Sequence, residues 1–294
     1  MTASIDLTPP ALTGARSPAA NAAGWNNSDV TVSFLCTDTL SGVASVTGAQ
    51  VVTGDGANQS RSGVCADRAG NSASATVAGI NLDKTPPTVV INTPAVGASY
   101  PLGSQFVASY TCGDALSGLL SCLGPVASGT SVTASKTGQQ SFSVTATDVA
   151  GNAATLVRSY SVAYQFNGFQ SPLQPAGTFS GTDTLGRAVP LKWDLPSGTG
   201  GFVRDLSVVT NILTYYTGPR AGATPCSLAV TGTAFVLYQP TAGATGGSTF
   251  RLSGNTYTFN WDTSTGAPTG PGCYTVAVQL NDGAPPRVTS IELK

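Results

Sequence analysis

The residues able to do chemistry in this 294-residue chain are few and unevenly chosen: thirteen aspartates, one glutamate, six cysteines and no histidine. Aspartate carboxylates, an asparagine carbonyl and backbone carbonyls are the hard oxygen donors that calcium takes. Such residues recur in the same order, first as Asp6, Asp38, Asp67 and Asn71, then as Asp83, Asp114, Asp148 and Asn152. If the chain folds so that each set converges, each offers a calcium site. Turn chemistry selects the same residues. The Asp of "DxxGN" can accept backbone amides as an Asx-turn, Gly-Asn can supply the positive φ of a tight hairpin, and the prolines of "DxTPP" stiffen a linker. Both readings stand at the level of sequence.

The elements that must position these residues show themselves as a tandem repeat. "DLTPP" recurs as "DKTPP", "CTDTLSG" as "CGDALSG" and "DRAGN" as "DVAGN", in one order and at a spacing of roughly 80 residues. Within each copy the strands alternate with period two. Val32, Phe34 and Cys36 are expected to face inward and Thr31, Ser33 and Leu35 outward. Phe106, Ala108, Tyr110 and Cys112 repeat the pattern, and Phe142, Val144 and Ala146 oppose Ser141, Ser143, Thr145 and Thr147. Gly, Asn, Asp and Pro clusters break the strands at short intervals, the pattern of an immunoglobulin-like sandwich. The fold class expected is all-β, three β-sandwich domains in tandem over 1–82, 83–163 and 164–294, the first two immunoglobulin-like. In the third, strands are expected at Ala188 to Leu195, Leu206 to Tyr215, Ala234 to Tyr238, Ser248 to Leu252, Tyr257 to Trp261, Cys273 to Leu280 and Val288 to Leu293, with a hairpin at "SGN".

The cysteines fall two to a domain, Cys36 with Cys65, Cys112 with Cys122 and Cys226 with Cys273, and none lies in a CxxC motif. Structural disulfides in an oxidising compartment follow. Aligning the repeats on "DxxGN" places Cys65 where the second copy has Ala146. Cys36–Cys65 is therefore expected to cross its sandwich from the second strand to the sixth, while Cys112 must find Cys122 just past the "DALSG" loop.

Composition excludes much else. Without histidine there is no Ser-His-Asp or Cys-His nucleophile system and no His-ligated zinc. A net charge of -1 with 9% charged residues supplies no footprint for a nucleic acid, and no apolar run reaches the length of a membrane span. No paired carboxylates of glycosidase type are legible, so no catalytic residue and no enzyme activity are expected. Trp25, Tyr215, Tyr216, Tyr238, Tyr257 and Trp261 could stack on sugars but are needed for packing. Lys192 is the best-placed lysine for an intramolecular amide bond, and Asn26 and Asn58 begin glycosylation sequons.

"GWNNSDVTVSFLCTDTLSGVASV", "DRAGN" and "LDKTPP", with their counterparts in the second copy, resemble the immunoglobulin-like and hyalin-repeat-like modules of large bacterial secreted and surface proteins. The third unit resembles the PxKF domain, through "YQFNGFQSPL" at Tyr164 to Leu173, "AVPLKWDL" around Pro190 and Lys192, and "GCYTVAVQLNDG" at Gly272 to Gly283. Trp193 stands where that pattern has Phe. The resemblance implies a stalk or adhesion module outside the cell, with a cell-surface, glycan or polymer partner and no catalytic residues. A secretory signal is then expected upstream of Met1. The alternative is an accessory carbohydrate- or polymer-binding region of a secreted hydrolase whose catalytic domain lies outside this chain.

Overall fold

The computed structural model describes residues 5–244, 248–265 and 270–294. Their regular structure is all strand apart from one 3-10 turn, Leu206–Val208. The chain is all-β and built of tandem sandwiches. It divides into two compact units, Met1–Asn92 with Ser109–Ser128 and Ser143–Val157, and Thr93–Ala108 with Gly129–Phe142 and Arg158–Lys294. The division runs through the second repeat.

The first repeat has β1 (Ala11–Ser17), β2 (Trp25–Asn26), β3 (Val30–Thr37), β4 (Val43–Val46), β5 (Gln50–Val52), β6 (Gly56–Asp67) and β7 (Ser72–Leu82). They form two sheets, β1-β3-β5 and β2-β7-β6-β4, the two layers of an immunoglobulin-like sandwich. Period-two alternation is why: Val30 and Val32 are buried on β3 while Ser33 and Leu35 are exposed. Val52, Ile80 and Leu82 complete the core, with Phe34 and Val77 packed against it. Two glycines make room for the Phe34 ring. A Cβ on Gly63 would lie 2.6 Å from that ring, and one on Gly14 would meet Val77 at 2.5 Å and Phe34 at 3.2 Å. At the edge of the second sheet β2 pairs with β7 in parallel, Trp25 opposite Asn81 and Asn26 opposite Leu82.

The second repeat has β8 (Thr88–Thr93), β9 (Ser99–Pro101), β10 (Gln105–Val107), β11 (Ser109–Gly113), β12 (Leu119–Leu123), β13 (Ser131–Thr133), β14 (Gly138–Asp148) and β15 (Ala153–Ala163). The strand orders are β8-β11, β10-β13 and β12-β14-β15-β9. The expected run through Phe106 and Cys112 keeps its alternation but breaks at Ala108, whose amide and carbonyl bond to Thr130 and Gly129 instead. Phe142, Val144 and Ala146 are buried on one face of β14.

The third sandwich has β16 (Phe169–Gln170), β17 (Phe179–Asp183), β18 (Ala188–Trp193), β19 (Val209–Gly218), β20 (Phe235–Gln239), β21 (Gly243–Ala244), β22 (Thr249–Ser253), β23 (Thr256–Asp262), β24 (Gly272–Leu280) and β25 (Arg287–Leu293). Its sheets run β16-β18-β23-β22 and β17-β25-β24-β19-β20-β21. Trp193, Trp261, Tyr257, Tyr274 and Phe259 are fully buried between them. The Trp193 ring stacks on Tyr257 at 5.6 Å and Phe250 at 5.9 Å. The expected strands are present with ends shifted by one to three residues, except that Leu206–Val208 is the 3-10 turn. The Asp205 side chain accepts the Ser207 amide there and delays the strand to Val209. The "SGN" hairpin pairs Ser253 with Thr256 across a two-residue turn, with Gly254 at φ +60°.

Candidate metal centres and the joint they occupy

Each aspartate set is assembled from three local turns. In the first, Asp38 Oδ1 accepts the Leu40 and Gly42 amides at 3.2 and 2.6 Å, with Gly42 at φ +80° as the turn requires. Asp67 Oδ1 accepts the Ala69 and Asn71 amides. Asp6 reaches from the linker to accept the Thr8 amide on Oδ1 and the Ser41 amide on Oδ2. Asn71 Nδ2 closes the cluster by donating to Asp67 Oδ2 and the Asp6 carbonyl at 2.8 and 3.2 Å.

The second set repeats this plan, except that Gly151 donates to Asp148 where Ala69 donates to Asp67, the Ala150 amide turning to the Ser117 hydroxyl. Asp114 Oδ1 accepts Leu116 and Gly118, Asp148 Oδ1 accepts Gly151 and Asn152, and Asp83 accepts Thr85 and Ser117. Asn152 Nδ2 donates to Asp148 Oδ2 and the Asp83 carbonyl, both at 2.8 Å. The eight residues singled out in the sequence are thus brought together four and four. In each trio one oxygen from each carboxylate lies within 4.8 Å of the other two. Asp83 and Asp148 are fully buried and Asp67 nearly so. Among the described residues every hydrogen bond to Asp38 and Asp114 falls on Oδ1, which leaves Oδ2 of each for another partner.

The asparagines do not play the role expected of the hairpin. Positive φ belongs to Gly70 and Gly151, at +96° and +99°, while Asn71 and Asn152 act through their side-chain amides. Hydrogen bonding also sets the charge state. The Ser41 side chain and the Thr8 amide hold Asp6 below the usual carboxylate range. At Asp67 burial pushes upward, but the Asn71 side chain and the backbone amides outweigh it and the carboxyl is again lowered.

The second cluster sits where the two repeats meet. The Asp83 amide donates to the Asn26 carbonyl at 2.9 Å, Asn21 Nδ2 donates to the Val149 carbonyl at 2.8 Å, and Lys84 Nζ reaches Asp29 and the Thr53 carbonyl, both at 2.7 Å. Asp55 accepts the Lys84 amide and the Thr85 hydroxyl. The linker is therefore bonded on both sides and the cluster is part of the joint.

All six cysteines pair as expected. Cys36–Cys65 joins β3 to β6 with Cα atoms 6.1 Å apart, and Cys112–Cys122 joins β11 to β12 at 5.9 Å. Cys122 stands opposite Ala146, so the second repeat reaches the same place from the neighbouring strand. Cys226–Cys273 ties the segment before β20 to β24 at 5.4 Å.

Other sequence candidates fare differently. Tyr257 and Trp261 are fully buried and Trp25, Tyr215 and Tyr238 half-buried, so of the aromatic set only Tyr216 is exposed. Lys192 has Gln170 and Thr258 as register partners, neither of which forms an amide bond with lysine in the expected way. Asn26 is buried with its amide bonded to the Pro18 and Ala19 carbonyls, which closes that sequon, whereas Asn58 is exposed.

One arrangement escaped the sequence reading. Asp282 and Arg287 form a buried pair at 2.5 Å. Asp282 Oδ2 accepts the Tyr164 amide and Arg287 Nη2 donates to the Tyr164 carbonyl, so the pair grips the backbone at Tyr164. The Tyr164 hydroxyl donates to Asn281. The signal was the "NDGAPPR" run, which sets an acid and a base five residues apart in a low-charge strand region.

No family model matches the chain, and no curated protein matches it. Solved structures that align with it include domains A168-A170 from titin, at 11% identity over 97% of this chain and 97% of that one, TM-score 0.33. The N-terminal eight Ig domains of Down Syndrome Cell Adhesion Molecule align at 12% identity over 92% of this chain and 34% of that one, TM-score 0.27. A chimeric titin Z1Z2-Z1Z2 tandem aligns at 14% identity over 71% of this chain and all of that one, TM-score 0.27. The fold assignment rests on the strand orders above and not on these alignments.

Proposed function

We propose that the chain is a non-enzymatic spacer or adhesive segment of a bacterial secreted or cell-surface protein, with domains at 1–82, 83–163 and 164–294, the last of PxKF type. One observation carries the reading: each of the three domains holds its own disulfide. Such staples persist outside reducing compartments. Each stabilises by roughly 3 to 4 kcal/mol, a large share for the first sandwich with its core of five buried residues. Non-reducing peptide mapping of the secreted protein is expected to return the three pairs, and a Cys36–Cys112 link would overturn the domain assignment. Retention on a glycan or polymer array would overturn the spacer reading in favour of an accessory binding region.

In the same reading the two aspartate clusters take calcium. Support comes from three carboxylates converging on one point in each, which a divalent cation relieves. Thermal melts with and without EDTA test this: a lower midpoint in EDTA is expected, and equal midpoints assign the clusters to turn chemistry alone.

A further inference from the structure

The two repeats present the same pole, and among the described residues only that of the second repeat is covered by another sandwich. In the second repeat it is covered by the first, through the Asn26 carbonyl on the Asp83 amide, Asn21 on the Val149 carbonyl and Asn27 beside Gly151. Position for position, the first repeat offers Ile5 for Leu82, Asp6 for Asp83, Leu40 for Leu116 and Arg68 for Val149. Leu40 is 69% exposed against 38% for Leu116, and Ile5 is 78% exposed, standing where Leu82 belongs to the core of the preceding sandwich. Ile5, Asp6, Leu40, Ser41, Arg68 and Ala69 line an open cleft of about 430 Å³ there. The aspartate scaffold beneath shares the Asp38/Asp114 turn and the asparagine clasp between the copies, so the first pole is built on the plan of the one that carries a neighbour.

The linkers differ in one telling position. Lys84 pairs with Asp29 of the preceding repeat, whereas its counterpart Leu7 is 80% exposed. A sandwich docking on the first pole would therefore meet an apolar side chain where the second pole supplies an ammonium.

We propose that the Asp6–Asp38–Asp67 pole is a docking face for another immunoglobulin-like sandwich. That sandwich presents the pole that this chain's first repeat forms with Asn21, Asn26 and Asn27, and carries an apolar residue in place of Asp29. The inference deepens the spacer reading by naming the partner, and rests on it only for its biological use.

The test fuses a second copy of residues 6–82, carrying Asp29→Leu, ahead of Asp6 in the full chain, so that the copy's Leu82 is followed by Asp6 as Leu82 is now followed by Asp83. Hydrogen exchange at the Asp6 amide is expected to slow by at least about tenfold toward that of Asp83, and less so with Asp29 retained. Unchanged exchange at Asp6 over a folded copy overturns the proposal. An unfolded copy also overturns it, because the same sequence folds in the present chain above the equivalent face. Self-association of the unfused chain with the same protection would assign the face to a second copy and overturn it as stated. Array binding of a glycan by a fused chain that does gain protection would remove the spacer reading and leave the docking face standing.

Discussion

At Asp148 a buried carboxylate accepts three hydrogen bonds, two from backbone amides of its own turn and one from Asn152. Asp148→Ala leaves those donors unpaired in the interior, and a loss of about 2–3 kcal/mol is expected in thermal or denaturant melts. Asn152 separates the two readings of the cluster. Asn152→Asp replaces a donor by a fourth carboxylate, so it is expected to destabilise more than Asn152→Ala in EDTA, with calcium rescuing only the Asp variant if the cluster binds the ion. Asp6 and Asp67 also predict an acid limit. Because their carboxyls are lowered in the folded chain, as is Glu292 through Thr182 and Arg220 against burial, the stability they add is complete above the unfolded carboxylate range. It is lost as pH falls through their folded values. The melting midpoint is therefore expected to hold from pH 7 to about 5 and to drop below about 4. A midpoint that rose on acidification would contradict these assignments. The recurring aspartates were legible in the sequence because repetition marked them. Asp282 and Arg287 were not, since nothing in their neighbourhood points to Tyr164, which lies 118 residues away from Asp282.

Among the elements, long strands with one apolar face were readable and short ones were not. β3, β14, β23 and β24 carry enough alternation or apolar content to declare themselves. β2, β9 and β16 are two or three residues long and exist because distant strands offer them hydrogen bonds. The break at Ala108 is of the same kind, imposed by Gly129 and Thr130. Phe34 was placed inward from its spacing, but its need for glycine on two other strands was invisible until those strands were paired. Gly63→Ala is expected to cost roughly 1–3 kcal/mol by overpacking. Phe34→Leu in the same chain should recover part of that loss, giving a coupling well above zero in a double-mutant cycle. Additive effects would show that the ring and the glycine do not compete for space.

For the whole molecule, the backbone at Tyr164 is tied to the loop before β25 through one ion pair. Arg287→Leu strands Asp282 as a buried, unpaired carboxylate, and a loss of about 3 kcal/mol is expected, whereas changing both residues to apolar ones should cost less; calorimetry of the three variants checks the order. A different consequence follows from the parallel pairs that join an early strand to the last strand: β2 with β7, β9 with β15 and β17 with β25. Tension applied to the ends of such a chain loads these pairs in shear, so their hydrogen bonds must yield together instead of unzipping one at a time. Once they yield, the disulfides cap how far each domain can extend. Cys36–Cys65 and Cys226–Cys273 span 29 and 47 residues, so reduction should lengthen the released contour by roughly 100 and 160 Å. Under such a load the yield force is expected to be set by strand direction and the stroke by redox state.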